Sequence, residues 1–125
     1  MAAAVGDEVE GRHPAYRRSE LEYALNKVGC KALVLAPALK TSNYLEIVND
    51  LAPELAASPF GQLQARTLPQ LRWVIRLGDD ITDGMLNFND LAARATAASR
   101  SQLAALGPTL RCDDPINIQF TSGTT

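Results

Sequence analysis

Ser19-Glu20-Leu21-Glu22-Tyr23-Ala24-Leu25-Asn26-Lys27-Val28-Gly29 is followed closely by Ala32-Leu33-Val34-Leu35-Ala36, and together these two segments predict the fold class. The first places its apolar residues on one helical stripe, with a Ser19/Glu22 capping-box pattern at the start and Gly29 as a left-handed stop. The second is a short continuous apolar run, typical of a strand covered on both faces. A helix followed by a buried strand predicts a layered α/β fold.

The alternation of helix and strand continues along the chain. A second helix is predicted from Asn43 up to Pro53, which removes a hydrogen-bond donor; its apolar positions are Tyr44, Ile47, Val48 and Leu51. A second strand is predicted in the β-forming run Leu71-Arg72-Trp73-Val74-Ile75-Arg76-Leu77. These elements predict βαβ units with a mostly parallel sheet, in which ligands collect beyond the carboxyl ends of the strands.

The last third of the sequence predicts more helix and a final strand. Alanine-rich residues 87–98 favour a helix, and Ser99 with Gln102 predicts a cap for another turn or two before Gly107-Pro108. Ile116-Asn117-Ile118-Gln119-Phe120 alternates apolar and polar residues, which predicts a strand with unequal faces. The loop that follows this strand would then lie at the carboxyl end of a strand in the sheet.

Composition limits the function classes. The 125 residues, 46% of them hydrophobic, suit one globular domain, and 14 acidic against 12 basic residues exclude the positive surface that nucleic acid requires. We predict that Cys30 and Cys112 are packed, inert free thiols in a reducing compartment, the cytoplasm. Met1-Ala2-Ala3-Ala4-Val5 suits neither a signal peptide nor an organelle presequence, and no apolar run is long enough for a transmembrane segment.

Several other residues are weak candidates for chemistry. His13 is the only histidine and lies in a predicted loop, while Asp113-Asp114 is more typical of a turn before a strand than of a cation site. We expect Arg12, Arg17 and Arg18 to be solvated, and Trp73 and Tyr44 to fill the core. No catalytic residue and no metal ligand is assigned.

The loop Thr121-Ser122-Gly123-Thr124-Thr125 carries the one chemical signal of the sequence. Gly123 lets the backbone approach a phosphate closely, while the hydroxyls of Thr121, Ser122, Thr124 and Thr125 can donate hydrogen bonds to its oxygens. The alternative is a polar turn after a strand. We predict a phosphate-binding loop.

Two separated stretches resemble one family. Asp114-Pro115-Ile116-Asn117-Ile118-Gln119-Phe120-Thr121-Ser122-Gly123-Thr124-Thr125 resembles the approach to the phosphate loop in the AMP-forming acyl-CoA synthetases, which are adenylate-forming enzymes. Pro14-Ala15-Tyr16-Arg17 and residues 19–34 resemble an earlier part of the same N-terminal domain, particularly in the medium-chain fatty acid branch. Between residues 57 and 111 only the pattern of elements agrees.

The resemblance implies a division of the chain and a reaction. Residues 1–13, with the acidic run 6–11, are expected to be an atypical lead, and residues 14–125 a partial AMP-binding domain ending inside the phosphate loop. In this family a carboxylate attacks the α-phosphate of ATP, and coenzyme A then displaces AMP, with Mg²⁺ neutralising the triphosphate. Residues 121–125 would hold the β- and γ-phosphates.

The resemblance also implies what the 125 residues lack. In the family the loop continues with glycine, a variable residue, proline, lysine and glycine; the adenine-binding segment, the ribose-binding acid and a C-terminal lysine come later. We therefore expect a fragment that is inactive alone, from a parent enzyme whose partners are ATP, a carboxylic (fatty) acid and coenzyme A. The sequence does not identify the carboxylic acid that the parent enzyme uses.

Two alternatives belong to other classes. A non-enzymatic α/β binding or interaction domain could use a bare sheet edge or apolar surface, and unpaired edges would also favour self-association. A free-standing nucleotide binder of another lineage is less favoured, because the sequence has neither Gly-x-x-x-x-Gly-Lys-Ser/Thr nor Gly-x-Gly-x-x-Gly.

Overall fold

The computed structural model describes residues 2–5, 14–39 and 42–120, and the chain divides into two compact units, Met1–Asp90 and Leu91–Thr125. The first unit contains, in order, β1 (Ala2–Val5), α1 (Pro14–Val28), β2 (Ala32–Leu35), β3 (Ala38–Leu39), β4 (Ser42–Asn43), α2 (Tyr44–Leu51), β5 (Trp73–Arg76) and β6 (Leu86–Asn87). Single 3-10 turns occur at Leu55–Ala57 and Phe88–Asp90. Up to residue 120, the second unit has one α-helix, α3 (Ala97–Leu106), and 3-10 turns at Ala92–Arg94 and Gly107–Thr109.

The first unit is built on a parallel sheet. Four strands lie in the order β1-β2-β5-β6 and every neighbouring pair is parallel, whereas β3 and β4 form a small antiparallel pair. Leu33 lies opposite Val74, and Leu35 lies opposite Arg76. This arrangement confirms the predicted α/β class with a mostly parallel sheet.

Strand β1 lies in the stretch treated above as an atypical lead, for which the sequence predicts no strand. Its residues pair in register with β2, from Ala2 opposite Ala32 to Val5 opposite Leu35. An alanine-rich run carries little strand propensity of its own, so pairing with β2 supplies what the local sequence lacks. Residues 6–13, including the acidic run and His13, lie outside the described residues.

Helix α1 begins earlier than its capping-box pattern predicts. It starts at Pro14, a residue whose fixed φ suits the first helical turn, and Ser19 and Glu22 lie inside the helix. Its end is as predicted, because Gly29 has φ 62° and its N–H bonds to the carbonyl of Asn26 at 3.2 Å. The predicted start at Ser19 is therefore wrong, and the stop at Gly29 is confirmed.

Helix α2 confirms its prediction closely. The Asn43 side chain caps it by accepting a hydrogen bond from the backbone N–H of Glu46 at 3.1 Å. The buried residues are the four predicted ones, Tyr44, Ile47, Val48 and Leu51. The helix ends at Leu51, two residues before Pro53.

The main core cluster lies on one face of the sheet. Leu33, Leu35 and Val74 are at most 2% exposed and pack in one cluster with buried residues of α1 and α2, namely Leu25, Tyr44, Ile47, Val48 and Leu51. Ala32 and Val34, which alternate with Leu33 and Leu35, are only half-buried. The prediction that this strand is covered on both faces is therefore confirmed for the face of Leu33 and Leu35, whereas the other face is only partly covered.

The second unit departs from the predicted helix at 87–98. Residues 88–94 hold two 3-10 turns instead, and α3 begins at Ala97. Thr96, rather than Ser99, is the cap: its hydroxyl accepts from Ser99 N–H at 3.0 Å, and the Ser99 hydroxyl accepts from Thr96 N–H at 2.9 Å. Ser99 thus occupies the N3 position of a capping box.

The predicted strand at residues 116–120 is not formed. This stretch has no regular secondary structure, and Ile116, Ile118 and Phe120 are 95%, 48% and 51% exposed. A strand needs a neighbour to accept its N–H groups and an apolar layer to cover one face. Among the described residues, this stretch belongs to no sheet and its apolar side chains stay exposed.

Candidate functional site

The predicted phosphate loop, Thr121, Ser122, Gly123, Thr124 and Thr125, lies outside the described residues. The stretch that leads to it, residues 115–120, is exposed and is not a strand. Phosphate binding by residues 121–125 therefore stays a prediction. The polar groups near the strand ends and in the cleft between α1 and α2 are the parts of a site that the structure describes.

The turn before that stretch is formed as predicted. The Asp114 carboxylate accepts a hydrogen bond from the backbone N–H of Arg111 at 2.8 Å, and the Asp114 N–H donates to the Arg111 carbonyl at 3.1 Å. Asp114 is thus used to close a turn. Among the described residues, no group of three or more His, Cys, Asp or Glu side chains is placed to hold a metal ion.

The carboxyl ends of the parallel strands carry a polar cluster centred on Arg76, the last residue of β5. Arg76 is 3% exposed; its guanidinium donates to the Thr82 hydroxyl at 2.7 Å and to the Leu77 carbonyl at 3.2 Å. The Asp80 carboxylate lies 3.7 Å away and is 94% exposed. A buried cation whose carboxylate partner is solvated depends mainly on its neutral hydrogen bonds for stabilisation.

Two asparagines complete this edge. The side-chain amide of Asn87 donates to the Asp79 carbonyl at 3.2 Å, and that of Asn89 lies 3.5 Å from an Asp79 carboxylate oxygen. Together these contacts tie the loop between β5 and β6 to the strand ends. Since the loop exposes Asp79 and Asp80, it presents negative charge rather than donors for a phosphate.

A second polar region is a cleft of about 200 Å³ between α1 and α2. Arg18 forms a 2.7 Å ion pair with Asp50, whose two side chains are 40% and 46% exposed, and Arg17 donates to the Ser42 hydroxyl. The expectation that Arg17 and Arg18 are simply solvated is therefore wrong. Arg18 joins α1 to α2 and Arg17 joins α1 to β4. The cleft has no excess of positive charge, because Glu46 and Asp50 also line it. Arg12 lies outside the described residues.

Three further predictions concern single side chains. Cys30 is buried, as predicted, and donates to the Ala32 carbonyl at 3.2 Å, but Cys112 is exposed, so the prediction of two packed thiols is wrong for it. Tyr44 is 8% exposed and fills the core as predicted, whereas Trp73 is 40% exposed and does not. Trp73 starts β5 on the side of the sheet away from the core cluster.

The fold and the strand-end cluster define an open α/β protein with a parallel sheet. Comparison with known proteins gives the particular relationship: the chain is homologous to part of the acyl-CoA ligases. It is 44% identical over 113 residues to the mitochondrial medium-chain acyl-CoA ligase ACSF2 of Macaca fascicularis, and 42% identical over the same length to that of Homo sapiens. It is 34% identical over 110 residues to the putative acyl-CoA synthetase YngI of Bacillus subtilis.

These matches cover most of this chain and little of the relatives. They include 90% of the chain against the two ACSF2 proteins and 88% against YngI, but only 18% and 20% of the relatives' own lengths. No family model matches the chain. None of the described helices is long and apolar enough to cross a membrane. The predicted resemblance to the acyl-CoA ligases is confirmed.

Proposed function

We propose that residues 14–125 are a part of the AMP-binding domain of an AMP-forming fatty acid–coenzyme A ligase. The observation that carries the proposal is the 44% identity over 113 residues to a medium-chain acyl-CoA ligase. The parallel sheet agrees with the α/β fold that the resemblance implies.

In this proposal the parent enzyme uses ATP, a carboxylic acid and coenzyme A. The carboxylate oxygen attacks the α-phosphorus and pyrophosphate leaves; the thiol of coenzyme A then displaces AMP from the acyl-adenylate. Residues 121–125 donate hydroxyl and amide hydrogen bonds to the β- and γ-phosphates, which Mg²⁺ helps to neutralise. Their role is to bind and orient, so removing one hydroxyl weakens the reaction without changing its course.

A chimeric ligase tests this proposal. Residues 14–125 replace the homologous segment in the mouse medium-chain acyl-CoA ligase, which is 42% identical over 113 residues. We expect the chimera to form acyl-coenzyme A from a medium-chain acid. Thr124→Val should lower kcat/KM for ATP by about 10–100-fold, the loss expected for one hydrogen bond to a charged group. The control, Thr109→Val, changes an exposed hydroxyl whose hydrogen bond is local, to the Leu106 carbonyl at 2.7 Å. An inactive chimera, or equal activity in both variants, would contradict the proposal.

The 125-residue polypeptide by itself should be inactive. The homologous region is 18% of the relatives' length, and the described residues supply a turn carboxylate and a structural arginine cluster. Acid-dependent release of pyrophosphate, or acyl-coenzyme A formation by the purified chain, is the result that would contradict this expectation. The cytoplasmic location stays a prediction; the mammalian relatives carry the word mitochondrial in their names.

A second candidate function is a non-enzymatic interaction domain. It is favoured by the exposed apolar side chains of residues 103–120, where Leu103, Leu110 and Ile116 are 70%, 63% and 95% exposed. Such surfaces promote association between proteins. Light scattering on the purified chain tests this candidate, since a monodisperse monomer that captures no partner would argue against it.

A further inference from the structure

Helix α3 and the 3-10 turn that follows it carry a stripe of exposed leucines. Leu103, Leu106 and Leu110 follow one another at intervals of three and four residues, which places them on one face. They are 70%, 51% and 63% exposed, and we call them the leucine stripe. A helix of ten residues is marginal in water without packing, so an apolar surface that covers the leucine stripe would stabilise α3.

The two ends of the leucine stripe carry opposite charges. Arg100 lies three residues before Leu103 on the same side of α3, and its side chain is exposed. Asp113 lies three residues after Leu110, in the turn that follows; its carboxylate receives a long contact from the Cys112 thiol at 3.8 Å and is exposed. The order along this surface is therefore a cation, three leucines and an anion.

We propose that the leucine stripe is a self-association surface, on which α3 of a second copy of this chain docks in the antiparallel direction. With a two-fold axis near Leu106, Leu103 meets the partner's Leu110. Arg100 then lies beside the partner's Asp113, whereas a parallel pair would place Arg100 beside a second Arg100, and like charges repel. The surface is complementary to itself only when reversed, which is the property that a two-fold interface between identical chains requires.

The interface is small, so the association should be weak. Two helices of this length should bury less than the roughly 1,200 Å² of a stable complex, and we expect a dissociation constant on the order of 100 µM. At a few micromolar the chain should then be monomeric, and the stability of the first unit should not depend on the leucine stripe. The inference goes beyond the proposed ligase function and does not rest on it, since it uses only residues 97–114.

Sedimentation velocity of the 125-residue chain, at concentrations from about 5 to about 500 µM, tests the surface. We expect the chain to change from monomer to dimer over this range. Leu106→Lys places two like charges at the two-fold axis and should raise the dissociation constant by at least about tenfold. Ser101→Lys adds the same charge on the opposite side of α3, so this matched control should leave the constant unchanged. Circular dichroism checks that both variants keep the fold.

A charge exchange tests the antiparallel direction. Arg100→Asp should weaken the dimer, because it places a second carboxylate beside the partner's Asp113. Adding Asp113→Arg should restore the original dissociation constant, since each opposite-charge pair is then present in reverse. A double variant that associates no better than Arg100→Asp alone would overturn the proposal.

Two results of the first experiment would also overturn it. One is a chain that stays monomeric at the highest concentration. The other is a dimer that Leu106→Lys and Ser101→Lys affect equally, because a different surface would then form it. Neither result bears on the ligase function, which the activity of the chimera tests separately.

Discussion

The first unit and residues 91–120 form their structure in different ways. In the first unit, helices α1 and α2 bury apolar stripes against Leu33, Leu35 and Val74. In the second, every described residue after Leu91 is exposed, and α3 relies on the Thr96/Ser99 capping box at its start. A helix of ten residues is marginal without packing. A local capping signal can therefore determine where a helix starts, but the burial of apolar side chains determines how much the helix contributes to the free energy of unfolding.

The largest expected difference comes from shortening a leucine in each region. Leu33→Ala, at a fully buried position, should lower the free energy of unfolding by about 3–5 kcal/mol. Leu103→Ala, at a position 70% exposed, should change it by less than about 0.5 kcal/mol. Urea denaturation followed by circular dichroism measures both. Similar losses at the two positions would remove the contrast between the regions.

Adding a methyl group to a glycine gives the next contrast. At Gly84, φ is 77° and an added Cβ would lie 2.0 Å from the Leu55 carbonyl oxygen, so Gly84→Ala should cost about 2–4 kcal/mol. At Gly107 an added Cβ meets nothing within 4 Å and the backbone is helical, so Gly107→Ala should be neutral or slightly stabilising. Thermal unfolding of the two variants side by side is the check, and a stable Gly84→Ala protein would show that the close approach to Leu55 is not rigid.

Removing an arginine compares a buried cation with a solvated one. Arg76→Ala removes two hydrogen bonds and a buried side chain, and we expect about 2 kcal/mol of destabilisation. Arg100→Ala, on the exposed surface of α3, should stay within about 0.5 kcal/mol of the parent. Because Asp80 is 94% exposed, Asp80→Asn should leave stability unchanged within error. If Asp80→Asn were as costly as Arg76→Ala, the ion pair would be the stabilising contact.

The smallest expected effect comes from removing the N-terminal cap of α3. Thr96→Ala removes the capping hydroxyl and should weaken the helix by about 1 kcal/mol. The change should appear as faster amide exchange in α3 by NMR, with the unfolding midpoint of the first unit unchanged. Ser101→Ala, in the helix interior, serves as the control and should leave exchange the same or slower. A shift of the global midpoint by Thr96→Ala would mean that α3 supports the core.

Sequence reasoning predicts the parts of the molecule in which local pattern and tertiary burial agree. Helix α2 has a capping asparagine, a stripe of four apolar residues and a proline beyond its end, and the structure uses all of them. The helix stop at Gly29 and the strand β5 also agree with their predictions. In each case the local preference and the core demand the same conformation.

The failures share a different physical cause. The Ser19/Glu22 pattern does not mark the start of α1, because capping residues also occur inside helices, and the sequence does not predict β1, because pairing with β2 supplies its stability. Residues 116–120 have the period of a strand, but the structure gives them no regular secondary structure. The polar cluster at Arg76 could be found only from the pairing of β5 with β6, which no spacing in the sequence reveals. As for the phosphate loop, its residues stay a prediction.

The strand order β1-β2-β5-β6 has a consequence for nucleotide binding. Each successive strand of the parallel sheet is added on the same edge. Right-handed crossovers then place every connection on the same face of the sheet. Doubly wound sheets bind their nucleotides where this winding reverses, in a crevice between two strands whose connections leave on opposite sides. The order of these four strands contains no such reversal, so a crevice of that type would need a further strand beside β1, wound the other way.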